Sequence, residues 1–184
     1  MTNYRRLFKS DGCVFITMVT YNRNPILLKN IQILRQAFIN VKKIYNFIIF
    51  AICIMPDHLH MLIKPENIEQ YPKIISSIKH YFSRNLVVSD GQVCCFDGQV
   101  CPSYISKREK GIWQRRYWEH TIKDEEDLYI HLDYIHYNPV KHRYVENAKD
   151  WEYSTFNKFV QQQYYKEEWE CFDDIKKILD IVIE

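Results

Sequence analysis

Two apolar segments joined by a turn dipeptide constrain this fold most. Phe47 to Met55 and His58 to Lys64 both have strand composition, and Pro56-Asp57 between them favours a turn. Side chains at positions i and i+2 of a strand share one face, so His58 and His60 point the same way and the apolar residues between them point the other way. The segments predict a hairpin with two imidazoles on one face of a strand and core residues on the other.

The apolar periodicity elsewhere predicts alternating strands and helices. Strands are predicted at Cys13 to Tyr21 and Trp118 to Ile122, and helices at Ile31 to Tyr45, Ile68 to Leu86 and Asp124 to Asn138. This order is typical of a ferredoxin-like α+β fold, an antiparallel sheet with helices packed on one face. Such packing would leave the face of His58 and His60 open.

The Asp124 helix carries a polar stripe beside its buried stripe of Leu128, Leu132 and Ile135. The polar stripe consists of Asp127, His131, Tyr134 and Asn138, spaced four, three and four residues apart. Tyr134 and Asn138 therefore lie side by side. Because Pro139 disfavours helical geometry at Asn138, we expect this amide near the helix end, reaching out of the fold.

A His-x-His pair alone is a weak indication of a metal site, and two solvated or core histidines are the alternative. The wider pattern is more specific. Met55-Pro56-Asp57-His58-Leu59-His60 and the segment from Asp133 to His142 resemble the HUH motif and catalytic-tyrosine helix of single-tyrosine HUH transposases, in the REP-associated tyrosine transposase branch. Further matches are Tyr4-Arg5-Arg6, Trp113 to His120, and Trp151 with Ser154-Thr155-Phe156.

The resemblance implies a metal-dependent endonuclease and strand transferase that acts on single-stranded DNA with adjoining hairpins or inverted repeats. It implies that His58 and His60 are metal ligands, that Asn138 completes the metal site, and that Tyr134 is the nucleophile. Attack by Tyr134 would give a 5′-phosphotyrosyl intermediate and a free 3′ hydroxyl. Mg²⁺ or Mn²⁺ would satisfy this chemistry.

The chemistry of the residues supports the same reading. An unperturbed phenol has a pKa of ~10 and needs a base or metal-assisted proton loss to attack near neutral pH. His131, one turn before Tyr134, is a candidate base for the phenolic proton of Tyr134. The alternative is that His131 is a surface residue of the helix with no catalytic role.

Candidate DNA contacts form two basic patches. Net charge is only +2, so a nucleic-acid surface must come from local patches. The larger patch combines Lys107, Arg108, Lys110, Arg115 and Arg116 with Trp113, Tyr117 and Trp118, which offer ring faces for unpaired bases. The smaller patch is Tyr4, Arg5, Arg6 and Lys9. The alternative interpretation of the larger patch is a solvated basic loop followed by core aromatics.

Length and composition favour one domain. The 184 residues are 47% hydrophobic, enough for a real core, and the four glycines form no phosphate-binding loop. Within residues 1–184 we expect an insertion loop at about 87–106 and a C-terminal helical extension at about 154–184. A zinc knuckle formed by Cys94, Cys95 and Cys101 is a weaker alternative for that loop.

Cysteines within apolar strand patterns, and the absence of an apolar signal segment, predict a cytoplasmic protein. The sequence leaves open whether the protein is a monomer or a homodimer. Two other functions compete with a transposase. One is a domesticated protein that binds hairpin DNA without cutting it. The other is a metallohydrolase that uses His58 and His60 on a small substrate.

Overall fold

The core of the fold is a four-stranded antiparallel sheet with the strand order β2-β3-β1-β4. The computed structural model describes residues 12–86 and 111–166. The strands are β1 (Val14–Val19), β2 (Phe47–Ile54), β3 (His58–Pro65) and β4 (Trp118–Thr121). In the described ranges the helices are α1 (Ile31–Lys42), α2 (Tyr71–Asn85), α3 (Glu125–Lys141) and α4 (Phe156–Gln161). The predicted elements therefore exist, with ends displaced by a few residues.

The β2–β3 hairpin forms as the sequence predicts. The amide of Met55 donates to the carbonyl of His58 at 2.8 Å, which closes the turn at Pro56-Asp57. This turn is anchored from outside, because the Thr20 hydroxyl donates to the Asp57 carbonyl at 2.8 Å. The first residue of β3 is thereby held at a fixed place on the sheet.

One face of the sheet forms the larger hydrophobic core with α1 and α2. The inward residues of β3 on this face are Leu59, Met61 and Ile63, as the alternation predicts. They are buried against helix residues that include Leu34, Phe38, Ile74 and Ile78. The α+β class and the antiparallel ferredoxin-like sheet are confirmed.

The opposite face is covered by α3, which corrects the expectation that all helices lie on one side. Phe15 of β1 and Leu62 of β3 point to this face and pack with Leu132 and Ile135 of α3 in a second buried cluster. These apolar side chains would be exposed to water on an open face, and burying them is favourable. The histidine face is therefore enclosed rather than open.

Several predicted features fall outside the described residues: the insertion loop with its cysteines, Tyr4, Arg5, Arg6, Lys9, Lys107, Arg108, Lys110, and all of the C-terminal extension beyond Lys166. The described part of that extension contains α4. Among the described helices, none combines the length and apolar character needed to cross a bilayer.

Candidate active site

The packing of α3 on β3 brings together four predicted site residues that are far apart in sequence. The ring centroids of His58 and His60 are 4.9 Å apart, and the ring of Tyr134 lies 5.0 Å from that of His60. Asn138 Oδ1 lies 3.4 Å from His58 Nε2. All four side chains are buried, with His58 at 2% exposure and the other three at 0%. The site is a polar cluster inside the second hydrophobic cluster.

Helix α3 places Tyr134 and Asn138 on the side that faces the sheet. The helix begins as predicted, because the Asp124 carboxylate accepts from the backbone amide of Asp127 at 2.9 Å. Its end differs from the prediction, because the helix continues through Pro139 to Lys141. A proline in the last turn removes one backbone donor, and the turn still closes when the amide of His142 donates to the Asn138 carbonyl at 3.0 Å. Asn138 therefore points into the fold, and the expectation that it reaches outward is wrong.

Asp57 fixes the orientation of the His58 ring. Burial raises the pKa of the Asp57 carboxyl. The hydrogen bond from His58 and the charges of His58 and Arg23 together lower this pKa by more than burial raises it, so the net pKa is below its ordinary value. The ionised carboxylate can only accept, so His58 Nδ1 donates to Asp57 Oδ1 at 2.6 Å. In the neutral ring, Nε2 then carries a lone pair that faces Asn138 Oδ1. Two acceptors facing each other need a proton or a cation between them.

Thr17 holds the second histidine in the same way from the neighbouring strand. Thr17 lies opposite His60 in the β1–β3 register, and its Oγ1 is 2.8 Å from His60 Nδ1. Burial, followed by the nearby positive charges, lowers the pKa of His60 well below its usual value and keeps the ring neutral. Its Nε2 is buried with no hydrogen-bond partner among the described residues.

These donors fit a divalent metal ion. A buried imidazole nitrogen without a partner is costly unless something binds it, and the Nδ2 amide of Asn138 is also buried without a partner in the described part of the chain. Imidazole nitrogens and an amide oxygen are suitable ligands for Mn²⁺, and Asp57 and Thr17 act as the outer partners that commonly orient metal-binding histidines. His58, His60 and Asn138 are thus arranged as a candidate metal site.

Tyr134 lies in an aromatic and cationic environment. The Nζ of Lys141 lies 5.1 Å from the centroid of the Tyr134 ring, and Phe15 packs edge-on against the ring at 5.9 Å. The His142 ring, one residue beyond Lys141, lies 5.1 Å from His58. Positive charge near a phenol and a phosphate favours the ionised nucleophile and the anionic substrate.

His131 has partners other than those expected. Its Nδ1 lies 2.8 Å from the backbone carbonyl of Asp127 and 3.1 Å from that residue's carboxylate. Burial lowers the pKa of His131, while the contacts with Asp127 raise it, and the net shift is downward. Nδ1 of His131 therefore faces Asp127, and the role of His131 as a helper of Tyr134 stays a prediction.

The predicted DNA contacts separate into two groups. Arg115 and Arg116 are exposed, and Tyr117 is half-buried against the larger core. Trp113 is 6% exposed, and its ring packs edge-on against Phe82 at 5.4 Å. The expectation that Trp113 stacks on bases is therefore wrong for this conformation, because its side chain completes the hydrophobic core.

Sequence reasoning did not identify several residues of the site. Thr17 and Lys141 carry no distinguishing pattern, because a lone threonine in a strand and a lysine after a helical stripe are common. Asp57 is predicted as a turn residue and belongs to the segment that resembles the HUH motif, but no role in the site is predicted for it. Its position directly before His58 was the signal available, since metal-binding histidines commonly donate to a carboxylate.

The fold and the arrangement of His58, His60 and Tyr134 are those expected of a single-tyrosine transposase of the HUH type. Residues 10–138 match the model of the IS200-like transposase family, and the chain belongs to that family, in its REP-associated tyrosine transposase branch. It is similar to a REP-associated tyrosine transposase of Haemophilus influenzae, with 42% identity over 96% of this chain and 97% of the relative. The corresponding protein of Escherichia coli K12 is 33% identical over 92% of this chain and 91% of the relative.

A solved structure supports the same assignment. It shows a REP-associated tyrosine transposase bound to a REP hairpin, and it matches this chain with a TM-score of 0.73 and 32% sequence identity. The match covers 92% of each chain. The similarity to this structure therefore extends beyond the segment that the family model covers.

Proposed function

We propose that this protein cuts and rejoins single-stranded DNA beside hairpins or inverted repeats through a covalent bond to Tyr134. The observation that carries this proposal is the enclosed cluster of His58, His60, Asn138 and Tyr134. The buried nitrogen of His60 without a hydrogen-bond partner in the described residues favours an ion site directly beside a tyrosine ring. The hairpin substrate is inferred from the related structure, which is bound to a REP hairpin.

The metal would be held by His58 Nε2, His60 Nε2 and Asn138 Oδ1, and Mg²⁺ and Mn²⁺ are the candidates. When bound, such an ion neutralises charge on the non-bridging oxygens of the scissile phosphate and polarises it for attack. The protein orients its ligands through Asp57 and Thr17. Because Asp57 and Thr17 hold the Nδ1 atoms, the Nε2 atoms of both rings are the ones that face the site.

The covalent step is an exchange of one phosphodiester for another. The Tyr134 oxygen forms a bond to phosphorus, the bond from phosphorus to the 3′ oxygen breaks, and the departing oxygen takes up a proton to become a 3′ hydroxyl. The phenolic proton is lost as attack proceeds. Since the number of phosphate ester bonds is unchanged, the reverse attack by a 3′ hydroxyl reseals DNA without ATP.

The substrate must gain access to a buried nucleophile. The Tyr134 side chain has no exposed surface, so a phosphate can reach its hydroxyl only after the side chains packed around it move. Lys141 and His142, at the end of α3, are partly exposed and lie beside Tyr134 and His58, respectively. We infer that DNA enters at this end of α3.

Hairpin binding is assigned to the exposed basic residues, with Arg115 and Arg116 in the described part of the chain. Lys107, Arg108 and Lys110 extend that patch in sequence, and Tyr4, Arg5 and Arg6 remain the proposed second contact. The chain acts as a monomer or homodimer in this proposal.

A cleavage assay tests the role of the metal site. Labelled single-stranded DNA from the flanks of the gene is incubated with Mg²⁺ or Mn²⁺, and the His58→Gln/His60→Gln protein is compared with a His80→Gln control, which changes an exposed histidine of α2. We expect the double variant to lose cleavage by more than 100-fold and the control to retain it. Cleavage that persists in the double variant or in chelator would overturn the metal role. Hairpin binding without cleavage by the natural protein would instead indicate a domesticated DNA-binding protein.

A further inference from the structure

A second cluster of ligating side chains lies between β4 and α3, outside the proposed catalytic centre. It consists of His120 from β4 and of Asp127 and His131 from the first half of α3. The Nε2 of His120 lies 2.7 Å from Asp127 Oδ2, and the Nδ1 of His131 lies 3.1 Å from Asp127 Oδ1. The ligating atoms of the three residues all lie within 4.8 Å of one another. Two imidazole nitrogens and a carboxylate therefore converge on one point.

The cluster is held in place by its surroundings. The rings of His120 and His131 are stacked, with centroids 4.7 Å apart and planes inclined by 8°. The backbone amide of Lys123 donates to Asp127 Oδ2 at 2.9 Å, which fixes the carboxylate from outside. His131 is 4% exposed, whereas His120 and Asp127 are partly exposed, so a small solute can reach the cluster from one side. Nδ1 of His131 also lies 2.8 Å from the Asp127 carbonyl, and an ion bound to Nδ1 would replace that contact.

We propose that His120, Asp127 and His131 form a second metal site, which takes a transition ion of the zinc class. Two imidazoles and a carboxylate make up a common three-residue zinc ligand set, with water in the fourth position, whereas Mg²⁺ prefers oxygen ligands and several waters. The ion replaces the proton that His120 shares with Asp127. It joins β4 to the N-terminal half of α3, the helix that carries Tyr134.

This site is distinct from the one formed by His58 and His60. Phe15 lies between the two clusters, with its ring centroid 5.8 Å from that of His60 and 4.8 Å from that of His131. None of the three proposed ligands belongs to the catalytic set of His58, His60 and Asn138. The proposed second site can therefore be tested independently of the cleavage reaction.

Metal stoichiometry in paired variants tests the proposal without any activity measurement. The full chain is dialysed against Zn²⁺ and, separately, Co²⁺, and bound metal is counted for the His58→Gln/His60→Gln protein and for the same protein carrying His120→Gln and His131→Gln in addition. We expect the first protein to retain one equivalent that the second loses. The His80→Gln substitution, added in the same background, should leave this equivalent in place. Thermal unfolding of the first protein should shift upward with Zn²⁺, and that shift should disappear in the second.

Two results would overturn the proposal. In one, the His58→Gln/His60→Gln protein binds no Zn²⁺ or Co²⁺, which would mean that the cluster is only a hydrogen-bonded cap for α3. In the other, the bound metal survives the His120→Gln and His131→Gln changes, which would place it at other residues. Circular dichroism of each variant establishes that it is folded. Failure of the proposed cleavage reaction would leave these counts unchanged.

Discussion

At the scale of single residues, the site depends on the groups behind its histidines. Asp57 and Thr17 each occupy the Nδ1 of one imidazole, which leaves both Nε2 atoms facing the interior. The HUH motif is visible in the sequence because its residues are adjacent. Thr17 is not visible, because it reaches His60 only through strand pairing 43 residues away.

Removing the charge of Asp57 should weaken metal binding. The Asp57→Asn side chain no longer supplies an anionic acceptor for His58 Nδ1, so the tautomer with a free Nε2 is less favoured. We expect the affinity for Mn²⁺ to fall about 10–100-fold, measured by calorimetric titration in the His120→Gln/His131→Gln background. The control is Arg23→Gln, which removes the 3.3 Å ion pair with Asp57 but leaves the hydrogen bond to His58. Equal affinities for the Asp57→Asn and natural proteins would show that Asp57 does not orient the ligand.

Lys141 should act as a positioning residue for Tyr134. Its Nζ lies 5.1 Å from the ring centroid of Tyr134, where a positive charge favours loss of the phenolic proton. We expect Lys141→Met to slow covalent-adduct formation about 10-fold or more and to shift its pH dependence to higher pH, while Lys141→Arg retains most of the rate. Single-turnover adduct formation across a pH series measures both effects. An unchanged pH profile in Lys141→Met would show that Lys141 only packs against Tyr134 and does not promote loss of its proton.

At the scale of elements, the sequence predicts the order and type of the strands and of the three longer helices because their apolar periodicities are regular. The start of α3 is predictable from Asp124, which caps it. Its end is not, because a proline in a last turn is tolerated when neighbouring contacts hold the helix, and Asn138 is buried there. The side on which α3 packs was also mispredicted. Phe15 and Leu62, which are apolar and share the histidine face, were the available signal.

His136 should make the docking of α4 on α3 sensitive to acid. Burial lowers the pKa of His136 to about 3, and the neutral ring contacts Thr155 Oγ1 at 2.9 Å and the Tyr165 hydroxyl at 3.2 Å. The unfolded chain takes up a proton near pH 6.5 that the folded chain refuses, so this contribution is present above pH 6.5 and is lost as the pH falls toward 3. Between about pH 7 and about pH 4 the loss from this residue is roughly 3 kcal/mol.

Urea unfolding at the two pH values measures that contribution. We expect His136→Gln to be less stable at neutral pH but to lose less stability on acidification than the natural protein. His80→Gln, at an exposed position, should follow the natural protein. If His136→Gln lost as much stability on acidification as the natural protein, the effect would belong to other buried histidines, such as His60 and His131.

At the scale of the whole molecule, a net charge of +2 provides little general attraction for DNA. Binding must therefore depend on where the cations lie. The sequence indicates a basic patch. In the structure the arginines of this patch are exposed, whereas Trp113 is buried in the hydrophobic core. Composition could not make that distinction, because aromatic residues beside cations are equally typical of a stacking surface and of a core edge.

Neutralising the exposed arginines should weaken hairpin binding mainly through phosphate contacts. We expect Arg115→Gln/Arg116→Gln to lower affinity and to reduce the slope of log K against log salt by about 1.4–1.8, since each phosphate contact contributes ~0.7–0.9. Fluorescence anisotropy with a labelled hairpin over a salt series measures this slope. Lys29→Gln/Lys43→Gln removes the same charge at exposed positions flanking α1 and should leave the slope unchanged. Equal slopes for both double variants would place the DNA elsewhere.

The central claim is that Tyr134 forms the covalent bond to DNA. The most direct measurement incubates single-stranded hairpin DNA from the gene flanks, labelled on either side of the cleavage point, with the natural protein, with Tyr134→Phe and with Tyr137→Phe. Tyr137 lies on the same helix and is partly buried, so it is a matched control. We expect a protein-linked band that carries the label on the 5′-phosphate side for the natural and Tyr137→Phe proteins, and none for Tyr134→Phe. An adduct that persists in Tyr134→Phe would contradict the assignment of the nucleophile.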